Sequence, residues 1–181
     1  AFAAGTMVPA EGYLLVYADE SNTSGIHLGF TLDRSGEQLT LYRDGVVLDS
    51  VSFGIQADDL SIGRDDTGNW HLNRPTPGER NSVQLTGNQS RLRISEWFTN
   101  GQVALSDEFI EIFNPDGIPV DMSGMLVTDS PNTALRRHVI APLSFIGSKD
   151  YAVISPIDFN LSSTMDFIAI CSTEGQIVDN V

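Results

Sequence analysis

Residues 38–51 read Gln-Leu-Thr-Leu-Tyr-Arg-Asp-Gly-Val-Val-Leu-Asp-Ser-Val, and this stretch decides the fold class. Two runs of strand-forming residues, 38–42 and 46–51, lie on either side of Asp44 and Gly45. An Asp-Gly pair tolerates positive φ, which a tight turn between antiparallel strands requires. The stretch therefore predicts a β-hairpin.

Short runs of this kind recur along the whole chain. β-branched and aromatic residues alternate with Gly, Asp, Asn and Ser at intervals of roughly 8 to 14 residues, and helical periodicity is almost absent. Such spacing is typical of a sandwich or barrel, so we predict an all-β protein. The further predicted strands are 13–17, 60–64, 69–72, 92–97, 108–113, 120–127, 151–154, 167–171 and 176–178.

The composition changes at residues 75–90. This segment begins Pro-Thr-Pro-Gly, and each proline removes a backbone donor that a sheet ladder needs. We therefore predict a linker rich in Pro, Gly and polar residues over 75–90, between one folded unit at 1–74 and another at 91–181.

Two pairs of segments look like copies of each other. Residues 39–51 and 168–181 both read strand, turn with Gly, strand, and then Asp-x-Val. Residues 8–16 and 143–154 both read as a turn followed by a strand that opens at Tyr. Two copies of one module, out of phase with the chain ends, explain this pattern better than a single domain. We expect the two copies to share one strand order.

Residues 118–129, Ile-Pro-Val-Asp-Met-Ser-Gly-Met-Leu-Val-Thr-Asp, resemble a signature of the lamin-tail domain, an immunoglobulin-like β-sandwich. The strands at 92–96 and 107–114 resemble the first two strands of that family, and 8–17 resembles a later one. The closing part of the family pattern resembles Asp59, residues 61–64, residues 65–68, Trp70 and residues 75–78. The resemblance covers most of the chain, but in an unusual order.

The resemblance implies two lamin-tail-like modules in tandem, with 1–74 as the C-terminal part of the first and 91–181 as the N-terminal part of the second. It also implies binding, tethering or assembly, since the family carries no catalytic residue to transfer. We therefore expect a non-catalytic structural module of a larger bacterial protein, secreted or attached to the cell surface. Its expected partners are proteins, either other modules of the same polypeptide or neighbouring copies that pair strand to strand.

The alternative is an accessory module that binds carbohydrate or another polymer for an extracellular enzyme. Trp70 and Trp97 are the candidate binding residues. Trp97 lies on an alternating strand and is expected to be buried, whereas Trp70 lies beside the Pro-rich segment and is expected to be partly exposed.

Charge and hydropathy argue against other partners. The net charge is −14, from 24 acidic and 10 basic residues, so the surface repels nucleic acid and anionic lipid. No apolar run approaches the roughly 18 residues of a membrane span, so no membrane insertion is expected.

The single cysteine, Cys171, follows the apolar run 167–170 and is expected to be a buried thiol.

The residue types offer little catalytic chemistry. His27, His71 and His138 are far apart in sequence and have no second ligand at metal-binding spacing. The sequence contains no Gly-x-Ser-x-Gly motif of the kind that exposes a nucleophilic serine. We therefore expect neither a zinc site nor a catalytic centre.

No cofactor is expected, and calcium is the one ligand that the sequence leaves open. Asp65, Asp66 and Asn69 place oxygen donors in a tight loop, and Asp58 and Asp59 precede it. Such hard oxygen ligands are the ones that calcium prefers. The alternative is an ordinary β-turn containing Gly, without a metal, and no other cofactor is expected.

If 1–74 and 91–181 are parts of two different modules, each part lacks strands that the other part contains. The first part has no counterpart of 92–140, and the second has no counterpart of 52–72. Three arrangements follow: a fragment of a longer repeat protein, a first half that folds back to complete the second, or strand exchange between neighbouring copies.

Overall fold

The computed structural model describes residues 2–21, 23–99, 108–130, 137–161 and 167–181. This part of the chain contains fourteen strands and a single short 3-10 helix, Gln89–Arg91. The prediction of an all-β protein is confirmed. No helix within these ranges is long and apolar enough to cross a membrane.

The strands are numbered in chain order, and each pairs antiparallel with its neighbours. They are β1 Glu37–Arg43, β2 Val46–Phe53, β3 Ser61–Arg64, β4 Trp70–Arg74, β5 Ser82–Val83, β6 Arg93–Phe98, β7 Phe109–Phe113, β8 Val120–Asp121, β9 Leu126–Thr128, β10 Arg137–Val139, β11 Phe145–Ile146, β12 Tyr151–Ile154, β13 Ala169–Cys171 and β14 Ile177–Asn180.

The second half of the chain forms a β-sandwich around the main core. One sheet has the strand order β12-β7-β6, the other has the order β10-β9-β13-β14, and the β8-β11 pair lies beside them. The carboxylate of Asp179 on β14 accepts a hydrogen bond from the N–H of Ile94 on β6, at 2.9 Å, which joins the two sheets. The buried core residues are Leu92, Ile110, Ile112, Val120, Met122, Met125, Val127, Ile140, Ile146, Ala152, Ile154, Phe159, Leu161, Ile168 and Ile170.

Turn residues of the second half form the local hydrogen bonds that their side chains favour. Asn114 is buried; its Nδ2 donates to the carbonyl of Gly147 at 2.7 Å, and its Oδ1 accepts from the N–H of Asp116 at 3.0 Å. Asp121 Oδ1 accepts from the N–H of Ser123 at 2.8 Å. Side chains of this type stabilise turns by replacing backbone partners, so these residues maintain the fold.

The first half has no comparable core. Strands β1 and β2 form a two-stranded sheet, and β3, β4 and β5 form a three-stranded one. No residue of β1 or β2 is buried. Ala57 and Leu72 are buried, but they pack against Phe145 of β11. A side chain of the second half therefore completes the small core of the first.

The two halves touch along a short stretch of backbone. The N–H of Gly54 donates to the carbonyl of Pro142 at 2.9 Å, and the N–H of Phe145 donates to the carbonyl of Ile55 at 2.7 Å. A Cβ at Gly54 would lie 2.0 Å from Ser144 Oγ, so only glycine fits there. In the described chain β3 and β4 nevertheless pair with each other and β5, not with strands of the second half. The tandem count and the boundaries 1–74 and 91–181 stay predictions.

The segment predicted as a linker carries structure of its own. Its strand β5 extends the sheet of β4, with Asn73 opposite Val83. Farther along, the N–H of Gly87 donates to the carbonyl of Pro119 at 2.7 Å. The Pro-rich start precedes β5, where no ladder donor is needed. The segment thus runs along both halves.

The predicted strands differ from the structure in several places. Residues 120–127 were predicted as one strand but belong to two, β8 and β9, in different sheets. Residues 13–17 were predicted to form a strand, but within the described chain only Tyr17 pairs, in an isolated parallel bridge with His27. Their side chains alternate in exposure as those of a strand do, yet residues 13–16 pair with no strand of the described chain. Conversely, β10 was not predicted, because its three residues Arg137–Val139 are too short to show a period.

We predict that equal truncations of the two halves have unequal costs. Ile170→Ala should destabilise the sandwich by about 2–5 kcal/mol, because it opens a cavity in a packed core. Leu41→Ala on β1 should cost less than about 1 kcal/mol, because surface truncations usually do. Urea unfolding of the full-length chain measures both. Equal losses would mean that the first half encloses a core of its own.

Candidate functional site

The candidate site is an open apolar groove in the first half. It lies between the β1-β2 hairpin and the β3-β4 pair and has a volume of about 440 Å³. A second groove, of about 350 Å³, adjoins it and shares Leu39, Val51 and Trp70. We call the two grooves together the apolar face. The large apolar residues that line it are Phe2, Val16, Leu28, Phe30, Leu32, Leu39, Leu41, Val51, Phe53, Ile62 and Trp70.

The hairpin register places apolar side chains on one side of β1 and β2. Leu39 lies opposite Val51, and Leu41 lies opposite Asp49. Side chains directly opposite each other share one face of a sheet, and successive side chains alternate between faces. On the other face Thr40 and the hydroxyl of Ser50 approach to 2.9 Å. The hairpin is therefore amphipathic, although neither of its faces is closed by a second sheet.

Trp70 lies at the junction of the two grooves. Its side chain is half-buried, and the guanidinium of Arg64 lies over the ring at 4.5 Å from the centroid. Arg64 Nη2 also donates to Asp49 Oδ1 at 2.8 Å, which links β3 to β2. This contact orients the indole toward the groove and leaves it partly exposed. Trp70 therefore has the partial exposure that we expected.

Trp97 is 46% exposed, so the prediction that it would be buried was wrong. It lies on β6, an edge strand of its sheet, and the register shifts between Ile94 and Glu96. A bulge of this kind interrupts the alternation on which the burial prediction depended. Trp70 lies on β4 and Trp97 on β6, in separate sheets.

The predicted calcium loop is held by its own hydrogen bonds. Asp65 Oδ1 accepts from the N–H of Thr67 at 2.8 Å, from its hydroxyl at 2.7 Å, and from the N–H of Asn69 at 3.0 Å. Asp65 Oδ2 lies 2.9 Å from His71 Nε2. The Thr67 hydroxyl, aided by these other donors, lowers the pKa of Asp65 to about 2. Both oxygens are therefore already occupied by donors of the loop.

The other predicted calcium ligands are also engaged or turned apart. Asp66 accepts from Arg80 Nε at 2.9 Å, and Asp58 lies 3.1 Å from Arg34 Nη1. Asp59 has a φ of +57°, which suits a turn. Among the described residues, no three His, Cys, Asp or Glu side chains come together to hold a metal. The calcium site stays a prediction, and the geometry does not bring its five residues together.

Each histidine contacts one aspartate, which the sequence analysis missed. His27 Nδ1 contacts Asp19, and His138 Nδ1 lies 3.0 Å from Asp158 Oδ2. The His27 contact, together with the N–H of Ser21, lowers the pKa of Asp19. With the contact between His71 and Asp65, these are three separate pairs, eight, six and twenty residues apart in sequence. Such pairs orient imidazoles but do not by themselves supply a nucleophile.

Cys171 is buried in β13, as expected. Burial raises the pKa of its thiol, which keeps it in the protonated form. Since the thiolate is the reactive species, this cysteine packs as a small apolar residue.

We expect the Asp65 loop to make stability depend on acid pH. The folded pKa is about 2 and the ordinary value is 3.8, so the stabilisation is complete above pH 3.8 and is lost as pH falls toward 2. Asp65→Asn should therefore destabilise the protein at neutral pH, and the difference from the wild type should shrink across this window. Urea unfolding at several pH values measures it. Asp66→Asn is the control, and the same pH dependence in both variants would argue against the loop.

Calcium should leave the unfolding temperature unchanged. A ligand that binds only the folded state must raise its stability, and the Asp65 oxygens are already bonded to loop donors. Thermal unfolding in chelator and in excess calcium checks this. A higher midpoint in calcium that Asp65→Asn abolishes would instead establish the predicted site.

The chain was also compared with known proteins. No protein-family model, no curated protein and no solved structure matches it. The lamin-tail resemblance therefore depends on the quoted motifs alone and stays a prediction.

Proposed function

We propose that the chain is a non-catalytic structural and interaction module of a larger bacterial protein, secreted or attached to the cell surface. It assembles through strand pairing with other modules of its polypeptide or with neighbouring chains. The lamin-tail motifs support a role in tethering or assembly. The observation that carries the proposal is the apolar face of the first half.

The apolar face carries large side chains that are exposed. Six of its lining residues are more than a third exposed: Phe2, Leu28, Phe30, Leu32, Leu39 and Leu41. Covering apolar surface contributes about 25 cal/mol per Å². A contiguous apolar patch of this kind marks a binding surface. The natural partner for exposed strands is another polypeptide.

The lining of the groove favours binding over catalysis. Its ionisable residues are Asp33 and Arg34, and Arg34 is already paired with Asp58 at 3.1 Å. Asp33 Oδ1 accepts from the N–H of Ser35 at 2.8 Å, as a turn residue does. General acid–base chemistry needs titratable groups that converge on one reacting atom. The groove instead offers aliphatic and aromatic contacts.

The net charge of −14 narrows the classes of partner that the surface can bind. An acidic surface disfavours nucleic acid and anionic membranes. Two copies of the chain also repel each other at long range, but physiological salt screens this repulsion beyond about 8 Å. Contact through the apolar face is therefore compatible with an acidic protein outside the cell.

One observation favours the alternative, an accessory module that binds carbohydrate or another polymer. Phe113 stacks on Tyr151 with centroids 4.7 Å apart, and Phe98 stacks on Phe109 at 5.9 Å. Phe109 and Phe113 are four residues apart on β7, so both pairs lie on one face of the sheet. Aromatic platforms of this kind stack against sugar rings. Trp97 lies on the adjoining strand β6.

We predict that mutations in the apolar face weaken self-association, whereas mutations in the β12-β7-β6 sheet do not. Phe30→Ser with Leu32→Ser should weaken self-association about tenfold or more, since each apolar side chain contributes about 1.5–3 kcal/mol when covered. Tyr151→Ser with Val153→Ser is the matched control on the second half and should leave association unchanged. Sedimentation equilibrium of the full-length chain measures this.

Affinity electrophoresis in gels that contain polysaccharide tests the alternative function, which is binding of a carbohydrate polymer. Under the proposed function neither double variant changes the mobility relative to the wild type. Retardation of the wild type that the Tyr151 and Val153 variant abolishes, with no self-association, would replace assembly by polymer binding.

A further inference from the structure

The two hairpins of the chain share an irregularity in their register. In β1-β2 the partner of Leu41 is Asp49, and the partner of the next residue, Tyr42, is Val47, so one residue of β2 is left out. In β13-β14 the partner of Ile170 is Asp179, and the partner of Cys171 is Ile177. Both hairpins thus carry one extra residue in the second strand, directly before the Asp. This match of geometry supports the repeat of 39–51 in 168–181.

The counterparts differ in what covers them. Ile168 and Ile170 are 2% and 0% exposed, whereas the corresponding Leu39 and Leu41 are 39% and 46% exposed. Strand β13 pairs with β14 on one edge and with β9 on the other, where Ile170 lies opposite Val127. Within the described chain β1 pairs only with β2. The edge of β1 that corresponds to the β9 edge of β13 is therefore open.

The second predicted pair of copies does not share one strand order, since residues 151–154 form β12 and residues 13–16 form no strand. Strand β12, Tyr151–Ile154, pairs with β7 and buries alternate residues, Ala152 and Ile154. Residues 13–16 alternate in the same phase, but Leu14 and Val16 are only half-buried. Within the described part of the chain residues 13–16 pair with no strand, although Tyr151 and its counterpart Tyr13 have nearly equal exposure. Strand β12 pairs with β7, but among the described residues no strand pairs with residues 13–16 in the corresponding way.

Both missing partners belong to one continuous segment, residues 109–128, which contains β7 and β9. We propose that the first half is an acceptor for a further half-module with the chemistry of this segment. Its first strand pairs with 13–16, and its last strand pairs with the open edge of β1. Apolar side chains from both strands then cover Leu39 and Leu41. This inference depends on the proposed function and identifies its binding surface.

The occupant is a further half-module and not the segment of a second, intact copy. In this chain Ile110, Ile112 and Val127 are fully buried in the main core. A copy that donated them would open its own sandwich to fill another. A polymer without backbone donors and acceptors cannot satisfy a strand edge either, since strand addition depends on main-chain hydrogen bonds.

A labelled peptide of residues 108–130 tests the inference against the full-length chain. We expect saturable binding by fluorescence anisotropy, because the peptide supplies both strands. A control peptide with Ile110→Asp and Ile112→Asp should not bind, since charged groups would face the apolar side chains. Failure of the natural peptide to bind would overturn the inference.

Two variants of the full-length chain locate the binding surface. Leu41→Glu should weaken peptide binding by about tenfold or more, which corresponds to about 1.4 kcal/mol. Tyr42→Glu, on the opposite face of the same strand, should leave it unchanged. Unfolding of the second-half sandwich must be the same in both variants, which shows that the fold is intact. Equal weakening by both variants would overturn the inference.

Self-association separates this inference from the proposed function. Association that Phe30→Ser with Leu32→Ser weakens, without any binding of the natural peptide, overturns the acceptor role and leaves the proposed function standing. Peptide binding that Leu41→Glu weakens supports the acceptor role whether or not intact copies associate.

Discussion

Strand β13 has a partner on both edges, and the rest of the second half depends on this pairing. It lies between β9 and β14, and all three of its residues are buried. Backbone groups removed from water must be paired, so a strand can enter a core only when both edges are covered. Once β13 is held, Ile168 and Ile170 lie in the same buried core as Ile110 and Ile112 of β7.

In the first half, the corresponding strand β1 has a partner on one edge only within the described chain. Its hairpin β1-β2 has a closely similar sequence pattern and the same register irregularity, yet none of its residues is buried. What holds the first half is its contact with the second, through Phe145 and the backbone bonds of residues 54–55 with 142 and 145. The molecule therefore combines a closed sandwich with a first half that has no comparable core and lies against it.

This asymmetry concentrates the candidate binding surfaces in two places. The apolar face of the first half offers strand edges and aliphatic side chains, which suit a polypeptide. The outer face of the β12-β7-β6 sheet offers stacked aromatic pairs, which suit flat rings. The ionisable groups, by contrast, are spread over separate pairs such as His138 with Asp158 and Arg34 with Asp58. This distribution supports the interaction module proposed above.

The sequence by itself determined the features that are local. The Asp-Gly turn adopts positive φ at both Asp44 and Gly45, as predicted, and the hairpin around it forms. The turn at Asn114 closes as its residue type requires. The tertiary structure alone decided which of these segments acquire partners. Residues 13–16 have the alternation of a strand but pair with no strand of the described chain, and Trp97 is exposed on a strand whose alternation a bulge interrupts. A local pattern specifies the conformation that a segment prefers, whereas pairing and burial depend on segments distant in sequence.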